Sequence, residues 1–230
     1  MRVLRIKKWR TKATKYPITE YGSAKIERIT YEPGYYLMEG VAGYDLYYIE
    51  NPINVTALLI NGEIVMVDDP LHWLGMMMLA KVCRGRTLIG GLGLGLILHH
   101  LKNNEKVDVI DVVEINNDVI QLIKPFLPKD DRVNIICDNV LRYKYLREGY
   151  DTIVLDLWVK DASTDHARMA GDSENYIGPL EAYYMFKYAS PYSNVYIWGL
   201  RHPAINPAVK RVSKEYLSLL RYLETLSGRW

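Results

Sequence analysis

From residue 26 to 67 apolar and polar positions alternate in short runs, YYLMEG, YDLYYIE, VTALLI and EIVMV, cut by turn signals at Pro33-Gly34, Ala42-Gly43, Asn51-Pro52 and Asn61-Gly62. A period of two sends successive side chains to opposite faces of a strand. Asn-Gly between apolar runs favours a hairpin because both residues accept positive φ. The stretch is therefore predicted to be antiparallel β. After Asp68-Asp69-Pro70 the period changes, and LHWLGMMMLAKV reads as a helix opened by an acid and a proline, with Met76 to Met78 packing into the core.

Beyond that helix the chain repeats strand then helix. Residues 86–90 form a short apolar strand, 96–101 open a helix, and 107–115 are a strong β run followed by a helix through Ile123 that breaks at Pro125 or Pro128. Strands follow at 133–137, 151–157 and 194–198, with helices at 141–146 and 179–189. Nearly continuous apolar strands alternating with helices indicate a parallel sheet covered on both faces. The fold class read from this is α/β: a Rossmann-like, mostly parallel sheet with helices on both faces, preceded by a small N-terminal antiparallel β region. The division expected is 1–69 for the β region and 70–230 for the nucleotide-binding domain. Val209, Val212, Tyr216, Leu219, Leu220 and Leu223 recur at helical spacing, so 207–226 is predicted as a closing helix.

Composition narrows the function classes. The chain of 230 residues is 49% hydrophobic and 24% charged, and it lacks an unbroken apolar stretch of about 18 residues, so no membrane association is expected. The start, MRVLRIKKWRTKATK, has the charge of a signal peptide but no apolar segment or cleavage site after it. A cytoplasmic protein is the expectation. Cys83 and Cys137 have no Cys or His neighbour at ligand spacing, which argues against metal and disulfide and for two buried small hydrophobes. The net charge of +2 implies no polyanionic partner, yet Arg2, Arg5, Lys7, Lys8, Arg10, Lys12 and Lys15 all precede the first acid, Glu20. This arm, with Trp9 inside it, is either a solvated terminal strand or a contact for nucleic acid.

The chemistry centres on Gly90-Gly91-Leu92-Gly93-Leu94-Gly95, directly after a strand and before a helix. Glycines suit such a turn because it is tight and because side chains would hold the backbone away from a ligand. Roughly 20 residues on, the next strand ends at Glu114-Ile115, where a carboxylate can accept ribose hydroxyls. Asp138-Asn139 closes the third strand, placed to meet an adenine amino group or to cap the following helix. Asp156 closes the fourth, either at the mouth where a ligand's reacting end would lie or as a surface-loop acid. The turn has no Lys-Ser/Thr and lacks the third glycine of the dinucleotide spacing, which excludes a P-loop and disfavours pyrophosphate. Gly90, Gly91, Gly93, Gly95, Glu114, Ile115, Asp138 and Asn139 are the candidate cofactor-holding residues.

In order, LLINGEIVMVDD, LIGGLGLG, VVEINNDVI, DRVNIICDNV, YDTIVLDLW and EAYY leading to NVYIWG resemble the class I S-adenosylmethionine-dependent transferases, within them the spermidine synthase branch. The resemblance runs from about residue 58 to 199 and implies an N-terminal β domain ahead of a Rossmann-like domain. It also exposes departures. The family's turn is GGGDGG, with an acid serving the aminopropyl amine, where this chain has Gly93. After the fourth strand the family carries DSSDP, where this chain has Asp156-Leu157-Trp158-Val159-Lys160, and its YQEM helix start becomes His72-Trp73-Leu74-Gly75.

A buried, unpaired ammonium is costly, so loss of these acids points away from polyamine synthesis. The expectation is a methyltransferase that binds S-adenosylmethionine, its carboxylate received by amides of the glycine turn and helix start, with Asp156 as general base and the acceptor, small or macromolecular, open. His166 and Tyr176 are candidates to close over the substrate, within a polar lid at 161–175. The alternatives are an aminopropyltransferase using decarboxylated S-adenosylmethionine, with Asp161 or Asp165 replacing the missing acid, and a non-catalytic nucleotide- or nucleic-acid-binding module. A homo-oligomer, or the final helix, is expected to cover the open edge of the sheet.

Overall fold

The computed structural model describes residues 4–40, 43–159, 168–169 and 177–198. Two small sheets come first. β1 (Leu4–Ile6) lies parallel to β5 (Gly43–Ile49), which pairs antiparallel with β4 (Gly34–Gly40). β2 (Thr19–Tyr21), β3 (Ala24–Tyr31), β6 (Ile53–Ile60) and β7 (Glu63–Val67) form a four-stranded antiparallel sheet in that order. The β6–β7 hairpin turns at Asn61 (φ 52°) and Gly62 (φ 80°), the left-handed pair that Asn-Gly tolerates at least cost.

The N-terminal arm is held down. Its strand β1 pairs with β5, Arg5 and Lys7 each lie 3.6 Å from Glu50, and Trp9 donates its indole N–H to the Asp68 carbonyl at 2.8 Å. Two of its seven basic side chains, Arg5 and Lys7, and its one tryptophan are thus engaged within the chain.

α1 (Pro70–Val82) starts where the sequence places it. The Asp69 carboxylate accepts the His72 amide at 2.9 Å, and Pro70 takes the first helical position, where a missing N–H costs nothing. Leu74, Met76, Met78 and Leu79 enter the core.

Then come β8 (Gly85–Gly90), α2 (Leu96–Leu101), β9 (Val107–Glu114), α3 (Asn117–Ile123), β10 (Val133–Cys137), α4 (Tyr143–Arg147) and β11 (Thr152–Leu155). A short ribbon, β12 (Trp158–Val159) with β13 (Arg168–Met169), precedes α5 (Pro179–Ala189) and β14 (Asn194–Ile197). The main sheet has the order β10-β9-β8-β11-β14 with every pairing parallel. β8 is central and the order reverses between it and β11, so the carboxyl ends of β8, β9, β10 and β11 surround the crevice where such sheets bind ligands. The α/β, Rossmann-like class with preceding antiparallel strands is observed.

Details depart from the sequence reading. The fourth strand stops at Leu155, which leaves Asp156 just beyond its end. The helix expected at 141–146 begins only at Tyr143, because Asp138 Oδ1 takes the Asn139 amide and Asn139 Oδ1 the Leu141 amide, local bonds that compete with helix. Asp138 is therefore not that helix's cap; Arg142 holds the position without a side-chain bond. Cys83 is buried, but Cys137 is exposed, since β10 is an edge strand with an open face. Ser23, in the β2–β3 turn, donates both its amide and its hydroxyl to Asp118 Oδ2 at 2.8 Å, tying the antiparallel sheet to α3. Apart from β13 at Arg168–Met169, the lid at 161–175, with Asp161, Asp165 and His166, lies outside the described residues, as do Tyr176 and the closing helix at 207–226.

Candidate active site

The turn after β8 is built around one buried carboxylate. Glu114, the last residue of β9, accepts the Leu92 amide at 2.8 Å on one oxygen and the Asn116 amide at 2.9 Å on the other, with the Gly93 and Ile115 amides also bonding to it. Burial pushes its carboxyl upward and these amides pull it back. The other amides of the turn are also used: Gly91 donates to Val113 O at 2.9 Å, Gly95 to Leu92 O at 2.8 Å, and Leu94 to the Met66 sulfur at 3.1 Å. The turn therefore presents no spare donors to an anion.

A pocket at this end of the sheet is lined by Gly91, Gly93, Glu114, Ile115, Asp138, Asn139 and Asp156, with Leu58, Ile60, Val65, Met66 and Trp158 among its apolar walls. Gly90 and Gly95 do not line it. A Cβ on Gly90 would lie 2.8 Å from Leu155, and one on Gly95, at φ 69°, 2.2 Å from Leu127, so both glycines serve packing. Every ionisable side chain on the pocket wall is an acid: Glu114, Asp138 and Asp156.

Asp138 is pinned by its own surroundings. Lys144 at 2.7 Å, the Asn139 amide at 2.8 Å, Arg142 at 2.9 Å and the Tyr145 hydroxyl at 3.1 Å all reach its carboxylate. The Lys144 ammonium leads in holding its pKa down, to about 2. Asp156 faces inward: its side chain is 13% exposed, and its Oδ2 lies 3.5 Å from His72 Nε2. The His72 ring stacks on Trp198, centroids 4.4 Å apart and planes 9° from parallel. The surface-loop reading of Asp156 therefore gives way to an acid set among aromatic groups.

Behind this pair sits Asp68, fully buried, receiving the Thr11 hydroxyl on Oδ2. Its Oδ1 is buried without a hydrogen-bond partner, and burial raises its pKa to about 7. Sequence reasoning placed His72 only as a departure from a motif and did not single out Met66, Asp68 or Trp198. Among these, only the Asp-Asp-Pro helix start carried a signal. Among the described residues there is no group of acids, histidines and cysteines able to hold a metal, and no helix long and apolar enough to cross a membrane.

No family model matches. Spermine synthase of Saccharomyces cerevisiae is 26% identical over 200 residues, 80% of this chain and 60% of that protein. A polyamine aminopropyltransferase of Clostridium botulinum is 32% identical over 78 residues, 31% of this chain and 28% of that protein. The chain thus spans less than two thirds of the relatives it matches. Among solved structures, spermidine synthase of Thermotoga maritima aligns with a TM-score of 0.42 at 14% identity, covering 74% of this chain and 60% of that one. The chain resembles the spermidine synthase-like branch of the class I S-adenosylmethionine-dependent transferases.

The methyltransferase expectation is corrected by these relatives, which are aminopropyltransferases. Of the amides meant to receive the carboxylate of S-adenosylmethionine, those of the glycine turn are engaged by Glu114, Val113, Leu92 and Met66. The argument from missing acids counted only two positions of the motif, whereas the pocket draws its acids from three strand ends.

Proposed function

We propose that this chain transfers the aminopropyl group of decarboxylated S-adenosylmethionine to an amine acceptor. The observation that carries the reading is the all-acidic ionisable lining of a pocket whose glycine-turn amides are all engaged within the chain. Such a site favours a donor bearing sulfonium and ammonium charges without a carboxylate, and an acceptor that is itself an amine.

In this reading Glu114 and Ile115 flank the donor's ribose, and Asn139 the adenine. Asp138, already held by Lys144 and Arg142, shapes the adenine end. At the mouth, the acceptor nitrogen attacks the aminopropyl carbon bonded to sulfur. A C–N bond forms, the C–S bond breaks with its electron pair going to sulfur, and 5′-methylthioadenosine leaves. Asp156 is the group placed to take the proton the nitrogen loses, with His72 beside it. The departing group is a neutral thioether, so the protein's main contribution is alignment of donor and acceptor.

The test is direct. The purified protein is incubated with decarboxylated S-adenosylmethionine and a panel of diamines and polyamines, and products are read by mass spectrometry. An acceptor enlarged by one aminopropyl unit together with 5′-methylthioadenosine is the expected result; methylated acceptor from S-adenosylmethionine, or no product from any amine, overturns the proposal.

A further inference from the structure

The donor pocket as it stands is too small for a nucleoside. Its volume is about 60 Å³, whereas sites for ligands of that size enclose roughly 300–1,000 Å³. One side chain accounts for the crowding at the glycine turn. Met66, near the end of β7, reaches across from the antiparallel sheet and lays its sulfur on Gly93. A Cβ built on Gly93 would lie 2.4 Å from that sulfur and 2.8 Å from the Met66 methyl carbon. The thioether thus fills the space that a side chain at position 93 would occupy.

The same sulfur accepts the Leu94 amide at 3.1 Å. Every other amide from Gly91 to Gly95 is held by an oxygen, two of them by the buried Glu114 carboxylate. A thioether is the weakest acceptor of the set. Leu94 is therefore the one turn amide whose partner can be exchanged cheaply, and methionine, unbranched with three rotatable bonds, is suited to swing away.

Resting on the proposed function, we propose that Met66 is the gate of the donor pocket: it occupies the Gly93 face in the free protein and is displaced by the adenosyl donor. The Met66 position then sets donor affinity, because part of the binding free energy goes into moving it. Replacing the side chain by a smaller one removes that cost and raises the apparent affinity.

The experiment uses 5′-methylthioadenosine, which carries the adenosyl thioether without the aminopropyl arm. Calorimetric titration of the full chain is compared with M66A and M66L, and the Met66 methyl resonance is followed by NMR in methionine-labelled wild-type protein. The proposal expects M66A to bind about tenfold tighter, M66L not to gain, and the Met66 resonance to shift on ligand addition. If wild type binds while M66A is folded and no tighter, or if the Met66 methyl does not respond, the gate is overturned and the donor site stands. If M66A fails to fold, the methyl resonance of the wild type decides alone. If neither protein binds the nucleoside, the donor-site reading falls and the gate with it.

Discussion

Glu114 and Leu92 stand 22 positions apart in the chain, and the carboxylate of one accepts the amide of the other at 2.8 Å. This contact fastens the end of β9 to the turn after β8, so a residue expected to serve a ligand also holds the loop that shapes the pocket. Replacing Glu114 by Gln puts an NH2 group where one of these amides now finds an oxygen. The expected cost is about 1–3 kcal/mol of stability, the penalty for a buried donor left unsatisfied, together with weaker binding of 5′-methylthioadenosine. Urea denaturation and calorimetry check both, and a variant unchanged in each would show that Glu114 fills neither role.

Asp156→Asn keeps shape and removes the proposed proton acceptor. Aminopropyl transfer is expected to fall by about 10²–10⁴-fold in kcat/KM, the range for loss of a general base, with 5′-methylthioadenosine affinity nearly unchanged. Equal transfer rates in the variant would move the proton to another group.

Asp68 gives the fold a pH dependence. Its pKa is raised from 3.8 to about 7, chiefly by burial, with Thr11, His72 and Arg28 acting the other way. A carboxyl with a folded pKa above its unfolded one contributes stability that is fully present below pH 3.8 and lost as pH rises through about 7. The protonated form is the one the folded state prefers. The contribution is on the order of a few kcal/mol. Asp68→Asn, neutral at every pH and still able to accept from Thr11, should flatten this dependence and be more stable than wild type at pH 8. Denaturation midpoints at pH 5 and pH 8 measure it; the same drop in both proteins would assign the effect elsewhere.

Gly91 and Gly62 both have positive φ, 89° and 80°, but differ in surroundings. A Cβ on Gly91 would sit 2.4 Å from the Asp156 carbonyl oxygen, while nothing lies within 4 Å of one on Gly62. Gly62→Ala is expected to cost about 1 kcal/mol from backbone strain alone. Gly91→Ala should cost clearly more, by about 2 kcal/mol or above, and should depress transfer by shifting Asp156. Thermal unfolding of the pair checks the ranking.

Much of the fold was legible because local patterns carried it. The alternation from Ile26 to Val67, the Asn61-Gly62 turn, the Asp69-Pro70 helix start and the buried apolar strands β8, β9 and β11 are all set by periodicity and by residues with narrow backbone preferences. A helix boundary slipped where side chains bonded to nearby backbone, as at Asp138 and Asn139, and burial was misread where a strand lay at an edge, as with Cys137.

What the sequence determined by itself was the order of the elements, the glycine turn and the acids at the strand ends, since each follows from neighbours a few residues away. The tertiary structure decided which groups those acids meet. Glu114 consumes the turn's amides, Lys144 and Arg142 hold Asp138, and His72 from the first turn of α1 lies against Asp156 while Met66 from β7 lies on Gly93. Apart from the Arg142 and Lys144 contacts, which are local, these pairings join residues far apart in the chain, and no periodicity along one segment encodes them. Charge balance in a pocket is a sum over everything that folding brings to it, so the shift from an anion-receiving turn to an acid-lined site became visible only once the strands were assembled.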